Sequence, residues 1–263
     1  MADQYEKILY EKDGRTALVT INRPDRLNAI DGQTSYELNK AFTDFRDDDG
    51  LWVAILTGSG ERAFSTGNDL VAMAEQMAGK AGPQVPRAPV GGITREFECW
   101  KPMIAAINGY CLAGGLEVAL CCDIRVAAEH AQFGVPEVTR AIIPSAGGTQ
   151  RLLRMLPRGI ALELLLTGGR FDARWALGYG LVNHVVPADQ VLPKAREIAQ
   201  AICENGPLAV RAAKASALRG LERSLEDGLK GEVEFARTVL ATEDAREGPR
   251  AFTQKRKPEY KGR

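Results

Sequence analysis

The chain has 263 residues, enough to bury the core of one domain, or of one domain with an appendage. Its 34 basic and 34 acidic residues cancel, so net charge gives no reason to expect a nucleic-acid partner or an acidic substrate. Hydrophobic residues make up 45%, as in an ordinary globular protein, and no apolar run approaches the roughly 20 residues of a membrane helix.

The segment from Met1 to Lys7 lacks the basic-then-apolar pattern of a secretory signal, so a cytoplasmic protein is expected. Ile8 to Tyr10 and Ala17 to Ile21 read as strands, with Asp13-Gly14 as the hairpin signal between them. Tyr36, Leu38, Ala41, Phe42 and Phe45 recur at helical spacing, and Asp47 to Gly50 stops that helix. Leu51 to Leu56 is a continuous apolar run of strand length, which predicts a strand buried on both faces. Val71 to Gly92, rich in Gly and Pro, reads as the least regular part of the chain and as a mobile loop. Ile93 to Trp100 reads as a short helix before Pro102.

Met103 to Ile107 is predicted as a buried strand. A turn, a helix over Gly115 to Cys121 and a strand over Asp123 to Ala127 follow. Helices are expected over Thr149 to Leu156, Gly159 to Leu166 and Ala173 to Tyr179, and a short strand between Gly180 and Pro187. From Val191 onward the pattern is helical: Val191 to Cys203, Pro207 to Leu218, Leu225 to Leu240 and Ala245 to Lys255, with Asp244 and Glu247 placed as a capping pair. Strands alternate with helices and then helices alone follow. The expected class is an α/β core over residues 1–190 with a helical region over 191–263.

The five cysteines, Cys99, Cys111, Cys121, Cys122 and Cys203, have no metal-ligand spacing; the middle three read as small core residues. Neither His130 nor His184 sits in a triad-like motif. Two glycine-rich stretches carry the chemistry instead. In Ser65-Thr66-Gly67-Asn68-Asp69, Gly67 permits a turn that frees the Thr66 N–H to face a ligand. In Gly114-Gly115-Leu116-Glu117, the Gly114 N–H stands at a helix start. Two such amides aimed at one point make an oxyanion hole. Glu117 lies one turn from Gly114 on the same side. Glu137 follows Pro136 in a loop leading to Gly147-Gly148. Two carboxylates around one water can divide acid and base duties. Taken singly, each feature has an ordinary structural reading: a tight turn, a carboxylate at a helix start, a loop acid.

In combination the motifs resemble the crotonase family, the enoyl-CoA hydratase/isomerase superfamily. The matching pieces stand in order: Asn22-Arg23-Pro24 with Leu27-Asn28-Ala29, Ala63 to Leu70, Lys101 to Gly109, Gly114 to Glu117, Pro136-Glu137-Val138, Gly147 to Leu152 and Ala251 to Pro258. The resemblance spans nearly the whole chain. It implies a crotonase-like spiral of ββα turns, with C-terminal helices that mediate a homotrimer or a dimer of trimers. It implies an acyl-CoA thioester substrate, CoA arriving as part of the substrate, with no separate cofactor, metal, nucleic acid or membrane partner. Thr66 and Gly114 would supply the oxyanion hole, and Glu117 and Glu137 the acid and base of a hydratase. CoA would lie along Arg26, Leu27 and Ala29 and along the turn of Ser65, Gly67, Asn68, Asp69 and Leu70, with Lys255 meeting a nucleotide phosphate. Thr66, Ala113, Ala141 and Ser145 depart from the smaller residues frequent in the family; Ala141 and Ser145, with Arg140 and the Val71 to Gly92 segment, leave the acyl specificity open. The leading expectation is hydration of a 2-enoyl-CoA. Isomerisation or a specialised dehydration, such as that of carnitinyl-CoA, is the alternative. A non-catalytic RNA-binding member is disfavoured by the zero net charge and by retention of both glutamates.

Overall fold

The computed structural model describes residues 5–80 and 85–263. Strands β1 (Ile8–Asp13) and β2 (Thr16–Ile21) form the expected hairpin, in register from Ile8 opposite Ile21 to Asp13 opposite Thr16. Helix α1 (Gly32–Asp47) is capped by Asp31, which accepts the Thr34 N–H at 2.8 Å, and it buries Leu38, Ala41, Phe42 and Phe45. Next come β3 (Val53–Gly58), β4 (Ala63–Ser65) and α2 (Leu70–Met77). Then follow β5 (Met103–Ile107), β6 (Tyr110–Leu112), α3 (Gly114–Ala119), β7 (Ile124–Ala128) and β8 (Gln132–Gly134). Helices α4 (Gly148–Met155) and α5 (Arg158–Thr167), strand β9 (Arg170–Asp172), helix α6 (Ala173–Gly178) and strand β10 (His184–Val186) complete the sheets. Four helices close the chain: α7 (Val191–Cys203), α8 (Pro207–Gly220), α9 (Leu225–Leu240) and α10 (Glu243–Thr253).

The strands sort into two sheets, ordered β1-β2-β3-β5-β7-β10 and β4-β6-β8-β9. The sorting has a rule. β3, β5 and β7 pair in parallel in the first sheet, while β4, β6 and β8, each the next strand along the chain, pair in parallel in the second. After the β1–β2 hairpin, each of these three turns of the chain lays one strand in each sheet, which is the expected spiral. The central strands β3 and β5 of the first sheet are buried on both faces, which is why they read as apolar runs.

Several expectations change. Leu70–Met77, expected in an irregular segment, is helical because Asp69 accepts the Val71 and Ala72 N–H groups as its cap. Val90–Gly92 forms a 3-10 turn docked on α1 and α3, and residues 81–84 of the same segment lie outside the described residues, as do residues 1–4 of the N-terminal reading. Ile93 to Trp100 is not a helix. Glu96 takes a left-handed φ of +55°, and the Thr94 carbonyl accepts from the Arg151 side chain rather than from a following N–H of a helix. The last helix starts at Glu243 with Thr242 as cap; Asp244 instead accepts the N–H groups of Lys261 and Gly262, and Glu247 pairs with Arg250 and Arg256. Helix α7 packs on β3, β5 and β7 and buries Val191, Ala195 and Ala199, so the division placed after residue 190 falls inside the core. Among the described residues no helix is long and apolar enough to cross a membrane.

Candidate active site

The second sheet positions the site. Strands β4, β6 and β8 are parallel neighbours, so their carboxyl ends open on one edge, the edge where parallel α/β sheets bind ligands. From β4 the chain enters the turn 66–69. From β6 it enters α3. From β8 it enters a 3-10 turn over Pro136–Arg140 that carries Glu137.

The turn after β4 overturns one expectation. The Thr66 N–H is not free: it donates to Leu27 O at 3.2 Å. The Asn68 N–H takes its place. Ile30 N donates to Gly67 O at 2.8 Å and Asp69 N to Ile30 O at 2.9 Å, a parallel bridge between Ile30 and Asn68. A trans peptide points its O and H in opposite directions. With Gly67 O turned toward Ile30, the Asn68 N–H of the same peptide is turned away, and it has no acceptor among the described residues. The turn requires φ of +83° at Gly67, and a Cβ there would sit 2.6 Å from the Gly114 nitrogen. The two glycine-rich stretches thus touch. Gly114 opens α3, and its N–H also has no acceptor among the described residues. Ala113 before it is held at φ +52°, ψ −130°, a strained setting for a residue with a side chain. Asn68 and Gly114, and not Thr66, are therefore the candidates for the amide pair.

Glu117 and Glu137 are both buried, at 3% and 7% exposure, though neither sits in an ion pair among the described residues. Glu117 Oε1 accepts the Ala146 and Gly148 N–H groups, each at 2.7 Å. The glycine pair expected beside Glu137 thus serves Glu117. Burial raises the Glu117 carboxyl above its usual range, against the pull of those two amides and of the Arg151 and Arg95 cations. Glu137 is pushed up to about 7, first by burial and then by the charge of Glu117, with Arg140 opposing. Its Oε2 is buried with no hydrogen-bond partner, the kind of orphaned group that calls for a functional explanation. The carboxylates are thus close enough to couple and unequal in environment, one braced by amides and one unbraced and ready to hold a proton.

Of the other predicted residues, Leu27 and Ala29 hold the loop against the turn through their carbonyls, which accept from Thr66 N and from Arg23 Nη1 (2.5 Å). Ser65 is buried and its hydroxyl accepts the Gly67 N–H at 3.1 Å. Asp69 is tied to Arg23 at 2.9 Å, and Arg23 also reaches Asp31 at 3.2 Å. The Ser65 and Asp69 side chains therefore serve the fold, while Arg26, Asn68 and Leu70 remain exposed. A cavity of about 460 Å³ opens beside Asn68 and is walled by Ser35, Asp69, Met73, Arg87 and Val90. Lys255 is exposed just beyond α10, and among the described residues no hydrogen bond joins it to the 26–29 loop. Arg23 and Arg151 stood in the matching stretches Asn22-Arg23-Pro24 and Gly147 to Leu152 but were given no role by sequence, and Arg95 and the amide of Ala146 were not singled out at all. The trace of the amide pair was the position of Gly147-Gly148 after the Glu137 loop.

Residues 11–263 match the family described as Enoyl-CoA hydratase/isomerase. The carnitinyl-CoA dehydratase of Citrobacter koseri is 43% identical over 264 residues, 98% of this chain and 99% of that one. The carnitinyl-CoA dehydratase of Salmonella arizonae is likewise 43% identical, over 98% of this chain and 99% of its own. Among solved structures, an enoyl-CoA hydratase from Mycobacterium tuberculosis superposes with a TM-score of 0.91 at 38% identity, covering 98% of this chain and 99% of that one. An enoyl-CoA hydratase from Bacillus anthracis does so with a TM-score of 0.89 at 38% identity, over 98% and 100%.

Proposed function

Because the chain belongs to the enoyl-CoA hydratase/isomerase family, we propose that it adds water reversibly across the double bond of a 2-enoyl-CoA thioester to give the 3-hydroxyacyl-CoA. The observation that carries this reading is the unequal, coupled pair Glu117 and Glu137 at the strand edge that also presents the Asn68 and Gly114 amides. An isomerase needs one group to move a proton; addition of water needs one group for the water and one for the α-carbon.

The steps follow from the environments. The thioester oxygen accepts the Asn68 and Gly114 N–H groups, which stabilise the negative charge that builds there as water adds; one such donor contributes roughly two to three orders of magnitude in rate. Glu117, its Oε1 fixed by two amides, takes the water proton with its other oxygen as hydroxide character reaches the β-carbon. Protonated Glu137 delivers its proton to the α-carbon. One proton has then moved onto Glu117 and one off Glu137, and transfer between the pair or through solvent restores the start. Asn68, Gly67 and exposed Arg26 and Leu70 border the CoA arm, for which no separate cofactor is needed.

Loss of crotonoyl-CoA absorbance with the wild-type protein is the expected result, and absence of hydration across a panel of enoyl-CoA esters would remove the reading. The second reading, dehydration of a carnitinyl-type 3-hydroxyacyl-CoA, draws on the two relatives at 43% identity. It uses the same groups in reverse, and the same panel run from the hydroxyacyl side separates it by preferred substrate. The pH dependence carries a sign. Hydration needs Glu137 protonated and Glu117 ionised, so its kcat is expected to fall as pH rises through about 7 and to fall again toward acid as Glu117 gains a proton. Dehydration starts from the same singly protonated pair with the proton on the other carboxyl, so it should show the same two limbs. A rate that does not fall through about 7 in either direction would assign that ionisation to another group.

Exposed Leu225, Leu229 and Val233, four residues apart along α9, support packing of the C-terminal helices on other copies as a trimer or dimer of trimers. In such an assembly Lys255 would meet a neighbour's nucleotide. Light scattering tests the assembly, and a monomer would remove it.

A further inference from the structure

The turn that holds Glu117 is itself held. Its two amides converge on one oxygen only because Gly147, between them, takes φ of +106°. Behind Gly147 lies Arg151, in the first turn of α4. Its Nη1 donates to Ala146 O at 3.1 Å and its Nη2 to Thr94 O at 2.9 Å. The same Nη1 occupies the space that a side chain on Gly147 would need. The Arg151 backbone N–H closes on Gly147 O at 2.8 Å. Arg95, next to Thr94, donates to Ser145 O and adds a second tie from the same segment. Among the described residues Arg151 has no carboxylate within ion-pair distance, so both its donor arms serve main-chain carbonyls.

We infer that Arg151 is a positioning residue for the reaction: its planar fork clamps the 145–148 turn to the 94–95 segment, and the clamped turn sets the Glu117 carboxylate in the orientation that takes the water proton. This deepens the reading of Glu117 as an acid–base group and rests on it. A planar fork suits the task because two carbonyls lie at fixed directions; a lysine keeps the charge but bonds as a single mobile point. The groups facing Glu117 are Arg151 and Arg95, which hold its proton affinity down, together with Glu137 and the Cys121 thiol; Arg140 faces Glu137.

The test uses Arg151→Lys and Arg151→Met, each made in the wild type and in a Glu117→Gln background. Arg151→Met is expected to lower kcat about a hundredfold and Arg151→Lys about tenfold, with KM within about threefold, because a misplaced catalytic group slows the chemistry without loosening the thioester. In the Glu117→Gln background the same changes should lower the residual turnover by no more than about twofold, since residues acting as one unit are not additive. An infrared titration, with the Glu117 band assigned by its loss in Glu117→Gln, should move to higher pH in Arg151→Met. That readout needs no substrate. Failure of the wild type on every enoyl-CoA ester would therefore sink the functional reading, whereas an unmoved titration or additive losses would sink the role of Arg151. If Arg151→Met does not fold, the kcat loss and non-additivity of Arg151→Lys decide alone.

Discussion

Replacing Glu137 with Gln is expected to lower turnover by about two to four orders of magnitude while making the folded protein more stable above pH 7. The two effects have one cause. The Glu137 carboxyl is buried, its Oε2 has no partner, and its proton affinity stands at about 7 against an ordinary 4.5. In the folded protein the neutral form is favoured. Below about pH 4.5 the group is protonated whether the chain is folded or not, and it contributes nothing. As pH rises from there toward 7 the unfolded chain loses the proton first, so folding stability falls. Above 7 the full penalty is in place. The gap corresponds to roughly 3 kcal/mol at most, and solvent reaching the site reduces this to about 2 kcal/mol. Glutamine has no charge to bury, so Glu137→Gln should escape the penalty. Urea midpoints at pH 5 and pH 8, at one protein concentration, should be alike for the two proteins at pH 5 and higher for the variant at pH 8. A variant that is inactive and also less stable at pH 8 would indicate damaged packing and would withdraw the acid–base role. Binding of a saturated acyl-CoA should be unchanged, because the carboxyl acts on the carbons and not on the CoA arm.

Much of the molecule was legible from local pattern. The apolar runs of β3 and β5, the face of α1 and the span of α7 each follow from residues a few positions apart. The second sheet was not legible, since β4, β6, β8 and β9 have three residues each, too few to show alternation. Yet β4, β6 and β8 carry the site, because their carboxyl ends line up only once the spiral is closed. The same limit explains the oxyanion residue. Gly67 announced a special turn, but which neighbouring amide it frees depends on where the 27–30 loop lands. Leu27 takes the Thr66 amide, and Ile30 turns the next peptide over. Those loops are about 40 residues apart in sequence, and no local rule joins them. Likewise Glu117 reads as a carboxylate at a helix start until the 146–148 turn is brought beside it. Sequence therefore revealed residue types with chemical potential, and the register between distant turns decided which atoms are free to use it.

That register can be broken with one methyl group. Gly67→Ala is expected to reduce kcat/KM by about two to three orders of magnitude, the loss that follows removal of an oxyanion donor. The added Cβ would lie 2.6 Å from the Gly114 nitrogen and 2.8 Å from the Ala113 Cβ. Neither neighbour can yield. Ala113 is already held at φ +52°, and Gly114 is fixed by the start of α3. The 66–69 turn must therefore back away, and the Asn68 and Gly114 amides no longer meet at one oxygen. Positive φ alone also penalises alanine, by about 1 kcal/mol or more, so a control must separate strain from collision. Gly79 provides it: its φ is +77°, but a Cβ there meets nothing within 4 Å. Gly79→Ala should lose some stability and keep its kcat/KM. If Gly67→Ala retains near-normal kcat/KM, the thioester oxygen is not held between these two amides. If Gly79→Ala falls as far as Gly67→Ala, backbone strain and not the lost convergence explains the effect.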